Sequence, residues 1–128
     1  MDGHNSILID SNIAIYAAQP EYGTLRDWIQ TKNVSISDIT RIEVLGYPGL
    51  LPESILYFEK LFGIFDVFSI NEKVIQKAIS LKQQKVMSLG DAIIAATALV
   101  ENLALLTANT KDFKHIKELD LIGLKEIK

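Results

Sequence analysis

From Leu89 to Val100 the chain reads LGDAIIAATALV, and after Asp91 only one threonine interrupts the apolar residues. A helix of this composition has almost no polar side, and a helix that is apolar all round is buried among other elements. Its first polar residue is a carboxylate. Burying an unpaired charge is costly, so this acid has to emerge where water, a cation or a polar partner can meet it.

The rest of the chain supplies the layers that such a helix needs. SILID (6–10) is a short β-rich run. Thr24, with Asp27 three residues on, has the pattern of a capping box and predicts a short helix over LRDWIQTK. VSI (34–36) reads as the next strand, and Ser37 caps a helix through about Leu45. Pro48, Gly49 and Pro52 mark a loop, after which ESILYFEKLFGIF (53–65) repeats large apolar residues at helical spacing. DVFSI (66–70) reads as a strand. Asn71 caps an amphipathic helix through about Lys85, with Val74, Ile75, Ala78 and Ile79 turned inward. VMSLG breaks the pattern before the Asp91 helix, LALLT (103–107) is a buried strand, and LIGLKEI (121–127) holds a short last one. No repeat, linker or low-complexity tract divides residues 1–128, which are expected to form one domain. Strands alternating with helices predict a three-layer α/β/α architecture around a central, mostly parallel sheet of four to five strands.

Composition removes several classes. Nearly half of the 128 residues are hydrophobic, enough for a core without staples. With no cysteine there are no disulfides and no thiolate zinc or iron–sulfur sites. MDGHNSILIDS lacks the basic and long apolar regions of a signal peptide. Glu101 and Asn102 interrupt the most apolar stretch too early for a bilayer span. A soluble cytoplasmic protein with no membrane association is the expectation. The net charge is −3 and only Arg26 and Arg41 carry guanidinium groups. That argues against a tight stand-alone DNA binder, but not against an enzyme that holds phosphates through a metal.

In a parallel sheet with right-handed crossovers, strand ends and helix starts share one edge. Asp10 ends the first strand, Glu43 lies in the second turn of the helix after the second, Asp91 starts the apolar helix, and Asp112 falls in the turn after the fourth strand. Four acids distant in sequence are thus expected to converge. Two ionised carboxylates about 4 Å apart repel by roughly 4 kcal/mol at an effective dielectric near 20. Protonation or a divalent cation has to relieve that, and all-oxygen ligation suits Mg²⁺ or Mn²⁺ better than zinc. Each acid also has an ordinary role open to it. Asp10 and Asp91 are good helix caps, Glu43 suits a solvated helix face, and Asp112 suits a turn. Asn12, Thr107 and Asn109 stand beside the acids, either orienting ligands and waters or serving turns and caps. Lys111 and Lys114 are candidates for a phosphate backbone or for plain solvation. His4 and His115 lie far apart without a partner at ligand spacing. A phosphotransferase with Asp10 as nucleophile would want a second aspartate two positions on, where this chain has Asn12.

These residues together resemble the PIN domain family, over nearly the whole chain. LIDSNIAIY resembles the family's opening strand, with Ser11 where threonine is usual. SISDITRIEVLGY resembles its second-strand helix, and LGDAIIAATAL with LLTANTKDF resembles its closing pair of motifs. The resemblance implies that Asp10, Glu43 and Asp91 are the family's acids, with Asp112 as the fourth and Asn109 as the competing position. It implies catalytic and metal-holding roles for these four. Asp10, Asp91 and Asp112 would hold one Mg²⁺, and Glu43 would complete that site or hold a second ion. Small PIN domains of this size are similar to VapC, the toxin half of VapBC toxin–antitoxin modules. That implies a metal-dependent endoribonuclease leaving 5′-phosphate and 3′-hydroxyl ends, a homodimer, and a cognate antitoxin protein that inhibits it. The apolar helix over 53–65 is the candidate dimer or antitoxin surface, or else plain core. The alternative is a PIN-fold module that binds RNA or protein, or processes RNA, without a toxin role.

Overall fold

The structure is a computed structural model and describes residues 5–127. In chain order it contains β1 (Ser6–Ile9), α1 (Ser11–Ala17), α2 (Gly23–Ile29), β2 (Asn33–Ser37), α3 (Asp38–Leu45), α4 (Pro52–Ile64), β3 (Asp66–Phe68), α5 (Glu72–Gln84), α6 (Leu89–Glu101), β4 (Ala104–Thr107) and β5 (Leu121–Gly123). Short 3-10 turns cover Pro20–Tyr22, Thr110–Asp112 and Leu124–Ile127. The five strands form one sheet in the order β3-β2-β1-β4-β5, every neighbouring pair parallel. The expected three-layer fold with a parallel sheet is therefore present.

Side-chain alternation along the strands divides the core in two. Ile7, Ile9, Ala104 and Leu106 face a layer that takes Ile13, Ala14, Leu25, Val44, Phe58 and Phe62 from α1 to α4. Leu8 and Leu105 face the other layer, where Val74, Ala78 and Leu81 of α5 pack with Ala92 to Ala98 of α6. Every residue from Ala92 to Ala98 is buried, and Thr97, the one hydroxyl among them, donates to the Ile93 carbonyl at 2.7 Å. Small alanines bring α6 close to the sheet. Asn102 ends the helix in the left-handed region at φ 59°, with Leu103 N–H donating to Ala98 O at 2.9 Å.

Local departures from the sequence reading have physical causes. Thr24 does not cap α2; Tyr22 precedes that helix and Thr24 lies inside it, with no side-chain cap bond. In α5 the inward residues are Val74, Ala78 and Leu81, whereas Ile75 and Ile79 are 40% and 46% exposed. The buried stripe of α5 runs through 74, 78 and 81 at helical spacing, one position behind Ile75 and Ile79. Asn71 and Ser37 cap α5 and α3 as expected, accepting from Val74 N and Ile39 N.

The strand order carries a functional consequence. From β1 the chain proceeds to β2 and β3 on one side, and returns to β4 and β5 on the other. The carboxyl ends of β1 and β4 therefore flank the switch point of the sheet, the customary crevice for a site in open α/β folds. Among the described residues no helix is long and apolar enough to cross a membrane.

Candidate active site

Asp10 follows β1 directly at this switch point and is 7% exposed. Its two carboxylate oxygens have separate duties. Oδ1 accepts from Ile13 N at 3.0 Å, which makes Asp10 the cap of α1. Oδ2 accepts from the Thr107 hydroxyl at 2.5 Å, tying β1 to the end of β4. Thr107 in turn accepts from Asn109 N at 3.0 Å, so the backbone after β4 is held by the same hydroxyl. Burial pushes the Asp10 carboxyl above its ordinary range; the bonds from Thr107 and Ile13 pull it back, and the charges of Asp91 and Glu43 raise it further.

Glu43 reaches the rim from α3. The Ser11 hydroxyl donates to its Oε1 at 2.5 Å and lies 3.2 Å from Thr40 Oγ1. Ser11 follows Asp10 in sequence, so one turn of α1 positions two acids. The other oxygen of Glu43 lies against Gly90: a Cβ there would stand 2.5 Å from Oε2. Glycine at position 90 thus leaves the room that the Glu43 carboxylate occupies against the first turn of α6. Neither Gly90 nor Thr40 is singled out by local sequence rules, because each matters through a neighbour about thirty or more residues away; the signal for Thr40 is its place in SISDITRIEVLGY, three residues before Glu43.

Asp91 is the third residue of α6, not its cap. Ser88 caps that helix, its side chain accepting from Asp91 N at 3.1 Å. The Ser88 side chain also interacts with the Asp91 carboxylate and favours its charged form. Burial pushes this carboxyl up; Ser88 lowers it, while Asp112 and Glu43 raise it. The positive end of α6 favours the charged form as well.

The acids expected at the rim therefore sense one another: Asp10 with Asp91 and Glu43, and Asp91 with Asp112 and Glu43. Asp112 is exposed in the turn Thr110–Asp112 and acts on Asp91, not on Asp10. Asn109 is exposed at the head of the same turn. Asn12 is exposed in the first turn of α1. His115 does not join the cluster; both of its ring nitrogens are buried without a hydrogen-bond partner. His4 lies outside the described residues. In α4, Phe58 and Phe62 belong to the core, whereas Tyr57, Leu61 and Ile64, with Phe65 just after the helix, line a groove of about 450 Å³ that reaches Ile9 and Val34.

Carboxylate and hydroxyl oxygens are the donors of a hard cation such as Mg²⁺ or Mn²⁺, and the mutual repulsion of the acids is what such an ion relieves. Among the described residues no three Asp, Glu or His side chains form a ready ligating group. Mg²⁺ usually takes one or two carboxylates and keeps several waters, so this donor set fits it.

An acidic rim at the switch point of a five-stranded parallel sheet defines a class, and residues 7–119 match it: the chain belongs to the PIN domain family. A curated relative, Ribonuclease VapC of Rickettsia bellii, is 30% identical over 91% of this chain and 94% of its own length. Among solved structures, a toxin–antitoxin complex from Klebsiella pneumoniae superposes with a TM-score of 0.74 at 27% identity, over 91% of this chain and 96% of that one. VapBC-1 from nontypeable Haemophilus influenzae gives 0.78 at 25% identity, over 92% and 97%.

Proposed function

We propose that this protein is a divalent-metal-dependent endoribonuclease, the toxin of a cytoplasmic toxin–antitoxin pair, formed by residues 1–128 as one domain. The observation that carries the reading is the meeting of Asp10, Glu43 and Asp91 at one rim, each brought there by a different helix start or helix face. The similarity to a protein named Ribonuclease VapC supports RNA as the substrate.

Asp10, Asp91 and Asp112 would hold Mg²⁺, one or two of them directly and the rest through waters of its shell, with Glu43 completing the site or serving a second ion. The bound cation supplies positive charge to the phosphoryl oxygens and makes water a nucleophile near neutral pH. The chain does the rest. Thr107 and Ile13 N–H fix the Asp10 carboxylate. Ser11 fixes Glu43 against Gly90, and Ser88 leaves Asp91 free of the capping duty. A rim carboxylate accepts the proton of the attacking water. Attack by water leaves a 5′-phosphate and a 3′-hydroxyl. Asn12 and Asn109, both exposed, and Thr107 would orient waters or phosphate oxygens.

The toxin role rests on the likeness to toxin–antitoxin complexes. The groove along α4 is the apolar surface offered to an antitoxin segment, lined by Val34, Tyr57, Leu61, Ile64 and Phe65 and lying toward the strand starts at Asn33 and Asp66. A basic side chain from a further stretch of that segment would have to cross to the strand ends to meet the acidic rim. A homodimer belongs to the same reading, and its mass in solution tests it.

Purified protein should cut a structured RNA in Mg²⁺, with mapped ends carrying 5′-phosphate, and Asp91→Asn should not. A 2′,3′-cyclic phosphate product overturns the mechanism. Millimolar Mg²⁺ or Mn²⁺ should raise the melting temperature by linkage; no shift removes the metal from the proposal.

A further inference from the structure

The acidic rim sets a problem for its own substrate. RNA carries a negative charge at every phosphate, and the carboxylates repel it wherever a cation does not intervene. A strand that approaches the rim therefore needs positive charge on a flanking phosphate. Two basic side chains elsewhere are already engaged in holding helices. Arg41 pairs with Asp38 at 3.0 Å within α3, and Lys82 donates to the Met87 carbonyl at 2.8 Å ahead of α6.

On the other flank the sheet opens a polar pocket of about 460 Å³ between the carboxyl ends of β4 and β5. Lys111 and Lys125 line it from two different 3-10 turns, together with Asn109 and Thr110. The pocket connects to the rim through two hydrogen bonds, Asn109 N to Thr107 Oγ1 and Thr107 Oγ1 to Asp10 Oδ2. Glu126 also lines it, but its Oε2 accepts from Gly123 N at 2.7 Å and so lies fixed beside the backbone there. The two lysines thus leave one positive charge in excess. Asn109 and Thr110 add neutral groups that can donate to phosphate oxygens. Lys114, the other lysine singled out in the sequence, does not line this pocket.

We propose that this pocket holds the RNA phosphate next to the one being cut, with Lys111 and Lys125 as its charged wall. The assignment rests on the ribonuclease reading above. It makes the site two-signed: acids at the cut, lysines one step along the strand. Contacts of this kind position a backbone without reading its bases, so the pocket contributes affinity and register and leaves base preference to other groups.

Counterion release gives a test that a structural role would not pass. Binding of a short fluorescein-labelled single-stranded RNA is followed by anisotropy from about 50 to 200 mM salt. The host protein is Asp91→Asn, so that binding is read without cleavage. Lys111→Gln and Lys125→Gln keep part of the aliphatic stem and a polar end, and remove the charges. Each should weaken binding roughly fivefold at low salt and reduce the salt slope by about 0.7. Lys→Arg at either position should restore the slope. In the otherwise unchanged protein, the same glutamine variants should raise KM for RNA while kcat holds. An unchanged slope and KM in Lys111→Gln/Lys125→Gln overturns the pocket, as does a loss that arginine fails to restore. Normal lysine-dependent binding with no metal-dependent cleavage in the unsubstituted protein would instead overturn the nuclease reading and leave the pocket standing.

Discussion

The first turns of α1 and α6 each place an aspartate at the same rim, and they do so at different structural expense. Asp10 is itself the cap of α1 and the acceptor for Thr107, so both of its oxygens hold the fold together. Asp91 stands one turn inside α6, and Ser88 does the capping. One carboxylate therefore combines architecture with chemistry, and the other is spared most of the architecture. The largest expected effects test that contrast. Asp10→Ala and Asp91→Asn should both lower RNA cleavage by about a hundred- to ten-thousand-fold, the range of a lost acid–base group. Their stabilities should diverge. Asp10→Ala loses a cap, about 1 kcal/mol, and strands the Thr107 hydroxyl, about 1–3 kcal/mol, partly offset by the removal of a buried charge. A net loss of about 2 kcal/mol in urea unfolding is expected. Asp91→Asn should unfold at or above the midpoint of the parent. Equal stabilities for the two variants would dissolve the distinction.

Gly90 sharpens the comparison from the α6 side. Alanine is a better helix former than glycine by up to about 1 kcal/mol, yet its Cβ would meet Glu43 Oε2 at 2.5 Å. The atom in the way is the far end of a flexible side chain, so the fold gives and the site yields. Gly90→Ala should keep or raise the melting temperature while cleavage falls roughly tenfold, as a carboxylate misplaced by about 1 Å implies. Gly90→Ala with full activity would show that Glu43 need not touch α6. Ser11→Ala approaches the same carboxylate from α1. It removes the 2.5 Å bond to Oε1 and should lower cleavage less than Gly90→Ala, by a few-fold, because Glu43 keeps its place against Gly90.

The sequence revealed the order of elements because that order is written in local periodicity. It also revealed which ends of them carry acids. The apolar runs over 92–98 and 7–9 are patterns a single chain displays before folding, and the structure buries both. Caps were harder. Thr24 has the spacing of a capping box, but α2 begins one residue earlier, at Gly23, after a 3-10 turn whose geometry is tertiary. Asp91 reads as a helix start because aspartate is a good cap, although Ser88, three positions earlier, has capping-box spacing to it and is the actual cap. Apolar character alone predicts Ile75 and Ile79 inward, but the buried stripe of α5 runs through Val74, Ala78 and Leu81. The contacts that shape the site, Ser11 with Glu43 and Gly90 with Glu43, join elements whose approach is set by packing. No local rule contains them.

The smallest expected effect concerns pH. Both Asp10 and Asp91 have native pKa values raised above the ordinary 3.8. A carboxyl raised in the folded state binds its proton more tightly there than in the unfolded chain. Its stabilising contribution is complete below the unfolded value and is lost as pH rises through the native one. At neutral pH, without metal, each of the two groups therefore leaves the fold less stable ionised than it would be protonated. Asp91→Asn removes one of them. In chelator at pH 7 the variant should melt a few degrees above the parent, discounted because Asp91 is only half-buried. The gap should close as pH falls below about 4, where the parent carboxyl is protonated too. Adding Mg²⁺ at pH 7 should narrow the gap from the other side, by raising the parent more than the variant. A parent that is the more stable of the two at pH 7 in chelator would mean that the Ser88 bond and the α6 dipole outweigh burial and repulsion, and that Asp91 is a structural carboxylate after all.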